Sequence, residues 1–194
     1  LNETKKLNIF GWESINPAYG GAGSGGINDL YDIVSLNQGL ENAGFSINLG
    51  TWLIFINNYG ADNPEMSIQK QSWTLPEPPV DTYSDELIKS AKEYSDVAVV
   101  VLSRKAGEGH NDIPMDVRKA AYDNNSDEYD DFPEGEHYLQ LSQTERDMVD
   151  MVCSNFDNVI VVYNGANQFE LGFADEYPQI KSVVWCPERA KWMG

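Results

Sequence analysis

Val97-Ala-Val-Val-Val-Leu-Ser103 is the stretch that decides the fold of this 194-residue chain. It is an almost unbroken run of apolar, mainly β-branched residues, which is typical of a strand buried on both faces of a parallel sheet. Asn158-Val-Ile-Val-Val-Tyr-Asn164 has the same character farther along the chain. The two runs therefore predict a pair of interior parallel strands.

Working outward from these runs, the chain alternates short β-rich stretches with helix-like segments. Three more strands are predicted at Leu7–Phe10, Phe45–Leu49 and Ile180–Cys186. Three helices are predicted: one from an Asn28 cap to Gly44 with Leu30, Ile33, Val34 and Leu40 on its core face, one after Ser84, and one after the Ser142-Gln-Thr-Glu145 capping box. This alternation predicts a single α/β domain over residues 1–194, with a mostly parallel sheet flanked by helices on both faces, a three-layer α/β sandwich.

The charge balance excludes several classes of partner. The chain has 13 Lys and Arg against 31 Asp and Glu, a formal net charge of −18. Such a surface repels nucleic acid and anionic membranes, because binding to phosphate depends largely on Lys and Arg. The apolar runs are also far shorter than the roughly 20 residues that span a bilayer. We expect no nucleic-acid or membrane partner, while the compartment, cytoplasmic or secreted, stays open.

Tyr19-Gly-Gly-Ala-Gly-Ser-Gly-Gly26 is the most unusual local composition in the chain. A loop so rich in glycine lets backbone approach a ligand closely and directs amides outward. From Gly21 to Gly26 it formally matches the dinucleotide pattern G-x-G-x-x-G, but that pattern should follow the first strand at once, and Trp12 to Tyr19 intervene. A ligand-binding loop and a purely structural turn both remain open.

Glu108 is the candidate for chemistry. It stands between Gly107 and Gly109, shortly after the strand that ends at Ser103, and ligand sites in parallel α/β sheets lie at the carboxyl ends of strands. The alternative is an ordinary solvated loop carboxylate, since acids are abundant here. No metal-ligand spacing or P-loop lysine is present, so we predict no metal site and no cofactor; Cys153 and Cys186 are interpreted as buried thiols.

Five ordered blocks of sequence carry a resemblance to a known family. They are Phe10-Gly-Trp, Tyr19-Gly-Gly-Ala-Gly-Ser-Gly, Val97–Arg104 leading to Gly107-Glu-Gly, Tyr138-Leu-Gln-Leu-Ser and Asn158-Val-Ile-Val-Val-Tyr-Asn-Gly. In order and spacing, over nearly the whole chain, they resemble the C-terminal α/β-sandwich domain of glycoside hydrolase family 3, the β-glucosidase family.

The resemblance implies a site shared between two domains. In that family the nucleophilic Asp comes from a (β/α)₈ barrel, and the sandwich domain supplies the general acid/base Glu, which matches Glu108. Ser24 matches a serine near the glucose of the first subsite, and Tyr19 matches an aromatic on the leaving-group side. The implied substrate is a β-glucoside or oligosaccharide, the implied partner is the barrel domain, and no cofactor is implied.

The chain also departs from the family pattern. It has no room for the barrel, so the isolated chain is expected to be inactive or weakly active. His-Asn-Asp-Ile-Pro follows Gly109 in place of the commoner aromatic-Asp-Arg, and the end after Pro187 is interpreted as incomplete. The alternatives are a non-catalytic carbohydrate-binding or interaction domain and, from the glycine pattern alone, a nucleotide-binding α/β domain.

Overall fold

The computed structural model describes residues 4–15, 34–51, 77–104, 132, 136, 138–165 and 167–187. Their strands are β1 (Lys6–Phe10), β2 (Ser46–Ile47), β3 (Val97–Ser103), β4 (Asn158–Asn164) and β5 (Ile180–Cys186). Their α-helices are α1 (Leu36–Asn42), α2 (Asp85–Tyr94) and α3 (Gln143–Asn155). Short 3₁₀ turns lie at Trp12–Ser14, Val80–Thr82 and Gly172–Glu176.

The five strands form one parallel sheet in the order β2-β1-β3-β4-β5. The predicted bounds of β3, β4 and β5 are confirmed to the residue, while β1 begins one residue earlier than predicted. β2 is shorter than the predicted Phe45–Leu49, and Leu49 is 55% exposed. The parallel α/β class predicted from the alternation of elements is confirmed.

Two apolar clusters cover the two faces of the sheet. On one face, α2 and α3 pack over alternate residues of β3 and β4, with Ile88, Met148 and Val152 among the buried helix residues. On the other face, Leu36 and Leu40 of α1 pack against the remaining residues of the central strands. Helices lie on both faces, as the sequence predicted; β3 is buried along its whole length, while alternate residues of β4 are only partly buried.

The first predicted helix is wrong in its start. Ser35 is the N-cap of α1, with extended backbone at φ −65° and ψ 162°, so a helix cannot run continuously from Asn28 to Leu40. The Ser35 side chain accepts a hydrogen bond from the Gln38 amide. Val34, predicted on the core face, is instead 56% exposed. Residues 28–33 lie outside the described part. The predicted end is confirmed, because Gly44 takes up a positive φ of 87° just after the helix.

The other two helices begin where their caps predict. Ser84 caps α2 by accepting from the Leu87 amide, and Ser142 with Glu145 forms the predicted capping box of α3. Both cysteines are free thiols, Cys153 buried and Cys186 partly buried. None of the helices in the described ranges is long and apolar enough to cross a membrane.

Candidate active site

The sheet order reverses between β1 and β3. The chain passes from β1 outward to β2, then crosses to β3 on the other side of β1 and continues to β4 and β5. β1 and β3 are direct neighbours, with Phe10 opposite Val100. In open α/β sheets, ligands bind outside the carboxyl ends of the strands at such a reversal.

Both candidate loops depart from this reversal. The segment after β1 is described as far as Ile15, and the segment after β3 as far as Arg104. Tyr19, Ser24 and Glu108 themselves lie outside the described residues. Chain length still limits how far Tyr19 and Glu108 can lie from the described residues, because four residues span at most about 14 Å when fully extended. Tyr19 is four residues beyond Ile15, and Glu108 is four residues beyond Arg104.

The turn after β1 is packed directly against β3. Gly11 has φ +97°, and a Cβ at this position would lie 2.3 Å from the Val101 carbonyl oxygen. A side chain is therefore excluded both by conformation and by space. Glycine here lets the next three residues, Trp12–Ser14, form a buried 3₁₀ turn over the end of the sheet. The segment that leads to the glycine loop thus begins from a fixed point.

Glu77 secures that turn from a distant part of the sequence. Its carboxylate accepts a hydrogen bond from the Trp12 amide at 2.7 Å and another from the Tyr83 hydroxyl at 2.9 Å. Burial raises the pKa of Glu77 to about 8, against the opposing effect of these two hydrogen bonds. The negative charges of Glu145 and Glu13 add to the upward shift.

Arg104 lies at the end of β3 and is completely buried. Its guanidinium donates to both carboxylate oxygens of Glu145, at 2.7 and 2.6 Å, in a bidentate ion pair. The other bonds go to the backbone carbonyls of Tyr138, Gln140 and Ser103, at 2.6 to 2.7 Å. An arginine has five N–H donors, and all five are used here. Burial lowers the pKa of Arg104, but the paired Glu145 outweighs this effect and the net direction is upward.

Aromatic rings enclose the same guanidinium. Its central carbon lies 5.1 Å from the ring centroid of Tyr138 and 4.7 Å from that of Phe169. Phe169 in turn stacks on Tyr163 of β4, with centroids 4.7 Å apart and planes within 11°. Burial raises the pKa of the Tyr138 hydroxyl, and the positive charge of Arg104 opposes that rise. The guanidinium is thus removed from water, but its charge is paired with Glu145 and all its N–H donors have acceptors within the protein.

Several buried polar atoms lie at the same edge without a hydrogen-bond partner among the described residues. They are Nε1 of Trp12 and the hydroxyls of Ser14 and Ser103. Buried polar groups are normally paired. The carboxyl edge of β1 and β3 therefore holds buried hydrogen-bonding groups that no described residue satisfies.

A separate groove of about 500 Å³ runs between α2 and α3, with Tyr83, Ile88 and Met151 among its lining residues. It lies in a helical layer rather than at the sheet reversal. We assign the candidate site to the carboxyl edge of β1 and β3 because both loops singled out by sequence depart from that edge.

Sequence reasoning missed the Arg104–Glu145 pair and the Glu77 contact. The capping box marked Glu145 only as a helix start, although its carboxylate accepts from the Ser142 amide and from Arg104 at once. The available signal was a single arginine directly after a strand that is apolar from Val97 to Leu102. A cation at the end of such a strand must find a buried anion.

Comparisons with known proteins agree with this architecture. Residues 1–188 match the glycosyl hydrolase family 3 C-terminal domain. A β-glucosidase from Ruminococcus albus is 26% identical over 189 residues, which cover 95% of this chain and 17% of that protein. β-Glucosidase A from Butyrivibrio fibrisolvens is 29% identical over 189 residues, covering 95% of this chain and 22% of that protein. The chain spans about a fifth of the length of these relatives.

Solved structures show the same fold. A β-glucosidase from Paenibacillus barengoltzii superposes with a TM-score of 0.68 at 25% identity, over 93% of this chain and 18% of that one. β-Glucosidase 3B from Thermotoga neapolitana, solved with α-D-glucose, gives a TM-score of 0.64 at 23% identity, over 94% of this chain and 23% of that one. With the five-stranded parallel sheet and the match over residues 1–188, the chain belongs to the glycosyl hydrolase family 3 C-terminal domain family.

Proposed function

We propose that this chain is the C-terminal domain of a retaining β-glucosidase-like hydrolase and that Glu108 is its general acid/base. The observation that carries the proposal is the departure of the glycine loop and the Glu108 loop from neighbouring strands at the reversal of the sheet. The β-glucosidase relatives supply the class of reaction. Ser24 and Tyr19 are proposed to contact the sugar from the first loop.

The proposed chemistry needs two carboxyl groups about 5 to 5.5 Å apart. One attacks the anomeric carbon as the glycosidic bond breaks, and the other gives its proton to the departing oxygen. Glu108 has the second role, and it then takes a proton from the water that hydrolyses the glycosyl-enzyme. A (β/α)₈ barrel domain is proposed as the source of the nucleophile.

Glu108 suits this role by its surroundings in sequence. The glycines on both sides carry no side chain, so a pocket built partly by another domain can accept the loop. A group that must be protonated in one step and ionised in the next needs a pKa near the working pH. Arg104, the described cation nearest to Glu108 in sequence, is already paired with Glu145 and so adds no net positive charge at the end of β3.

The test is Glu108→Ala in the protein that carries this chain together with a barrel domain. Loss of general acid catalysis lowers turnover of cellobiose by about 10² to 10⁴. Hydrolysis of an activated aryl glucoside suffers much less in the glycosylation step, because its leaving group needs no proton, and azide rescues turnover by replacing the water that needs the base. Glu136→Ala, which removes a partly exposed carboxylate, is the matched control and should leave the turnover of both substrates unchanged.

Equal losses on both substrates without azide rescue would overturn the acid/base assignment. The isolated 194-residue chain gives a second check, since it should show little or no hydrolysis of either substrate. Calorimetry of the isolated chain with glucose then separates the roles: sugar binding combined with normal activity of Glu108→Ala would favour a non-catalytic carbohydrate-binding domain.

A further inference from the structure

We propose that Arg104, clamped by Glu145, is a positioning residue that sets where the Glu108 loop begins. The proposal rests on the proposed function of Glu108. Arg104 does not touch the substrate in this scheme; it acts through the backbone that leads to the acid/base. No other charged side chain in the described ranges is so completely enclosed at the carboxyl edge of the sheet.

The first support is how firmly Arg104 is held. Its side chain links the end of β3 to the Tyr138–Gln140 backbone and to the first turn of α3 through four hydrogen bonds. A fifth goes back to the Ser103 carbonyl at the end of β3. Its backbone is held as well, because the Arg104 amide donates to the Asn164 carbonyl at 3.3 Å. A Cβ on Gly165 would lie 3.0 Å from the Arg104 carbonyl oxygen, so β4 packs tightly against this point.

The second support is energetic. Burying a charge pair costs desolvation free energy, and replacing such a pair by apolar residues of similar size is often neutral or stabilising. Stability alone therefore gives a weak reason for an arginine at the end of a strand that is apolar in six of its seven residues. A bidentate pair fixes direction as well as distance, because guanidinium and carboxylate are both planar. The bidentate Arg104–Glu145 pair is therefore suited to holding the backbone at the end of β3 in place.

The third support is the short link to the proposed acid/base. Only three residues separate Arg104 from Glu108, so the Cα atoms of these two residues lie within about 14 Å. A general acid must come within hydrogen-bond reach of the leaving oxygen. Misplacement of a reacting group by about 1 Å can cost about 10²-fold in rate. A shift at the start of the loop is therefore expected to weaken proton donation selectively.

The experiment compares two variants in the barrel-containing protein. Arg104→Lys keeps the charge but loses the planar fork, and lysine cannot reproduce its bidentate geometry. Arg104→Met combined with Glu145→Gln removes both charges together, avoids an unpaired buried ion, and keeps an oxygen to accept from the Ser142 amide. Val152→Ala is the control, because it opens the core of α3 in the half of the helix remote from the loop.

The readout is the ratio of kcat/KM for cellobiose to kcat/KM for an activated aryl glucoside. Partial unfolding lowers both values equally and cancels from this ratio. We expect both Arg104 variants to lower it by about tenfold or more, while Val152→Ala keeps it at the wild-type value. The alkaline limb of the pH profile, followed with cellobiose, reports loss of the proton from the general acid. It should also shift in the Arg104 variants and not in the control.

The kcat/KM ratio could stay unchanged in folded Arg104 variants while Glu108→Ala behaves as expected. The Arg104–Glu145 pair would then be merely structural, and the positioning role alone would be overturned. If Arg104→Lys does not fold, the doubly neutral variant decides the outcome; failure of both to fold also overturns the proposal, since the pair would then serve stability. Equal losses and no azide rescue in Glu108→Ala would instead remove the proposed function, and the positioning role with it.

Discussion

The body of β3 and its carboxyl end are buried to the same degree with opposite chemistry. From Val97 to Leu102 every side chain is apolar and at most 5% exposed, and alternate residues enter the two clusters on the two faces of the sheet. Arg104, two residues beyond Leu102, is 0% exposed and carries a full charge. Side chains that are equally buried therefore contribute to the fold in different ways.

The difference shows what each part of the strand contributes. A fully buried valine stabilises the fold by roughly 1.5 to 3 kcal/mol and does so wherever it is surrounded by apolar atoms. The Arg104–Glu145 pair depends on one geometry and loses its compensation if either partner leaves. The body of β3 thus supplies stability, and its end supplies a fixed location at the edge where the candidate loops depart.

Removing one partner of the ion pair should destabilise the chain more than shortening a side chain in the body of β3. Glu145→Ala leaves the Arg104 guanidinium buried without its counter-charge and also removes the acceptor of the Ser142 amide. We expect the free energy of unfolding of the 194-residue chain to fall by about 3 to 5 kcal/mol. Val100→Ala, in the body of β3, should cost roughly 1.5 to 3 kcal/mol. Urea unfolding of both variants measures the two values.

The doubly neutral variant, Arg104→Met with Glu145→Gln, separates the effect of the charges from that of the hydrogen bonds. Because no charge is left unpaired, it should be more stable than Glu145→Ala despite carrying two substitutions. A double variant less stable than the single one would mean that the hydrogen bonds to the Tyr138 and Gln140 carbonyls, and not the charge pair, dominate at this end of β3.

The body of β3 could be predicted from sequence and its end could not. Continuous apolar runs fix β3, β4 and β5 because burial on both faces leaves no other arrangement for them. α1 was misplaced because helical spacing from Leu30 to Leu40 suggested one long element. The Ser35–Gln38 capping box, already present in the sequence, marks the true start. A local cap signal was therefore more informative there than hydrophobic spacing.

The candidate site was predictable only as far as local rules extend. The rule for parallel sheets placed both loops at carboxyl ends of strands, and the order of the strands confirms that β1 and β3 are neighbours. The contacts that support this edge join residues far apart in sequence: Arg104 with Glu145 across 41 positions and Trp12 with Glu77 across 65. No spacing pattern reports such pairs, since they form only when the chain is folded.

Stability should also depend on pH through Glu77, which supports the polar edge at β1. The pKa of Glu77 is raised from its ordinary 4.5 to about 8. Between these values the folded chain keeps a proton that the unfolded chain releases, so the contribution of Glu77 to stability is present below pH 4.5 and is lost as pH rises through about 8. Glu77→Gln stays neutral throughout and keeps an oxygen to accept from the Trp12 amide.

Urea unfolding at several pH values tests this effect as a difference between chains. The free energy of unfolding of Glu77→Gln minus that of the wild type should grow as pH rises from 5 to 8 and then level off. Glu93→Gln, on the exposed surface of α2, removes one carboxylate of the same kind and is the control. If both differences follow the same curve, general relief of the acidic surface explains the effect and Glu77 has no special part.

Removing a capping serine should have a smaller effect on stability, and its size should depend on the surroundings of the capping box. Ser142 and Ser35 both accept from the amide three residues on, but Ser142 is fully buried beside the ion pair and Ser35 is at an exposed site. Loss of an N-cap typically costs about 1 kcal/mol, within a range of about 0.5 to 2. We expect Ser142→Ala to fall near the upper end, because no water replaces the lost acceptor of the Glu145 amide. Ser35→Ala should fall near the lower end, because solvent takes over the freed Gln38 amide. Urea unfolding of the two variants measures both costs; equal costs would mean that burial beside the ion pair does not strengthen the Ser142 cap.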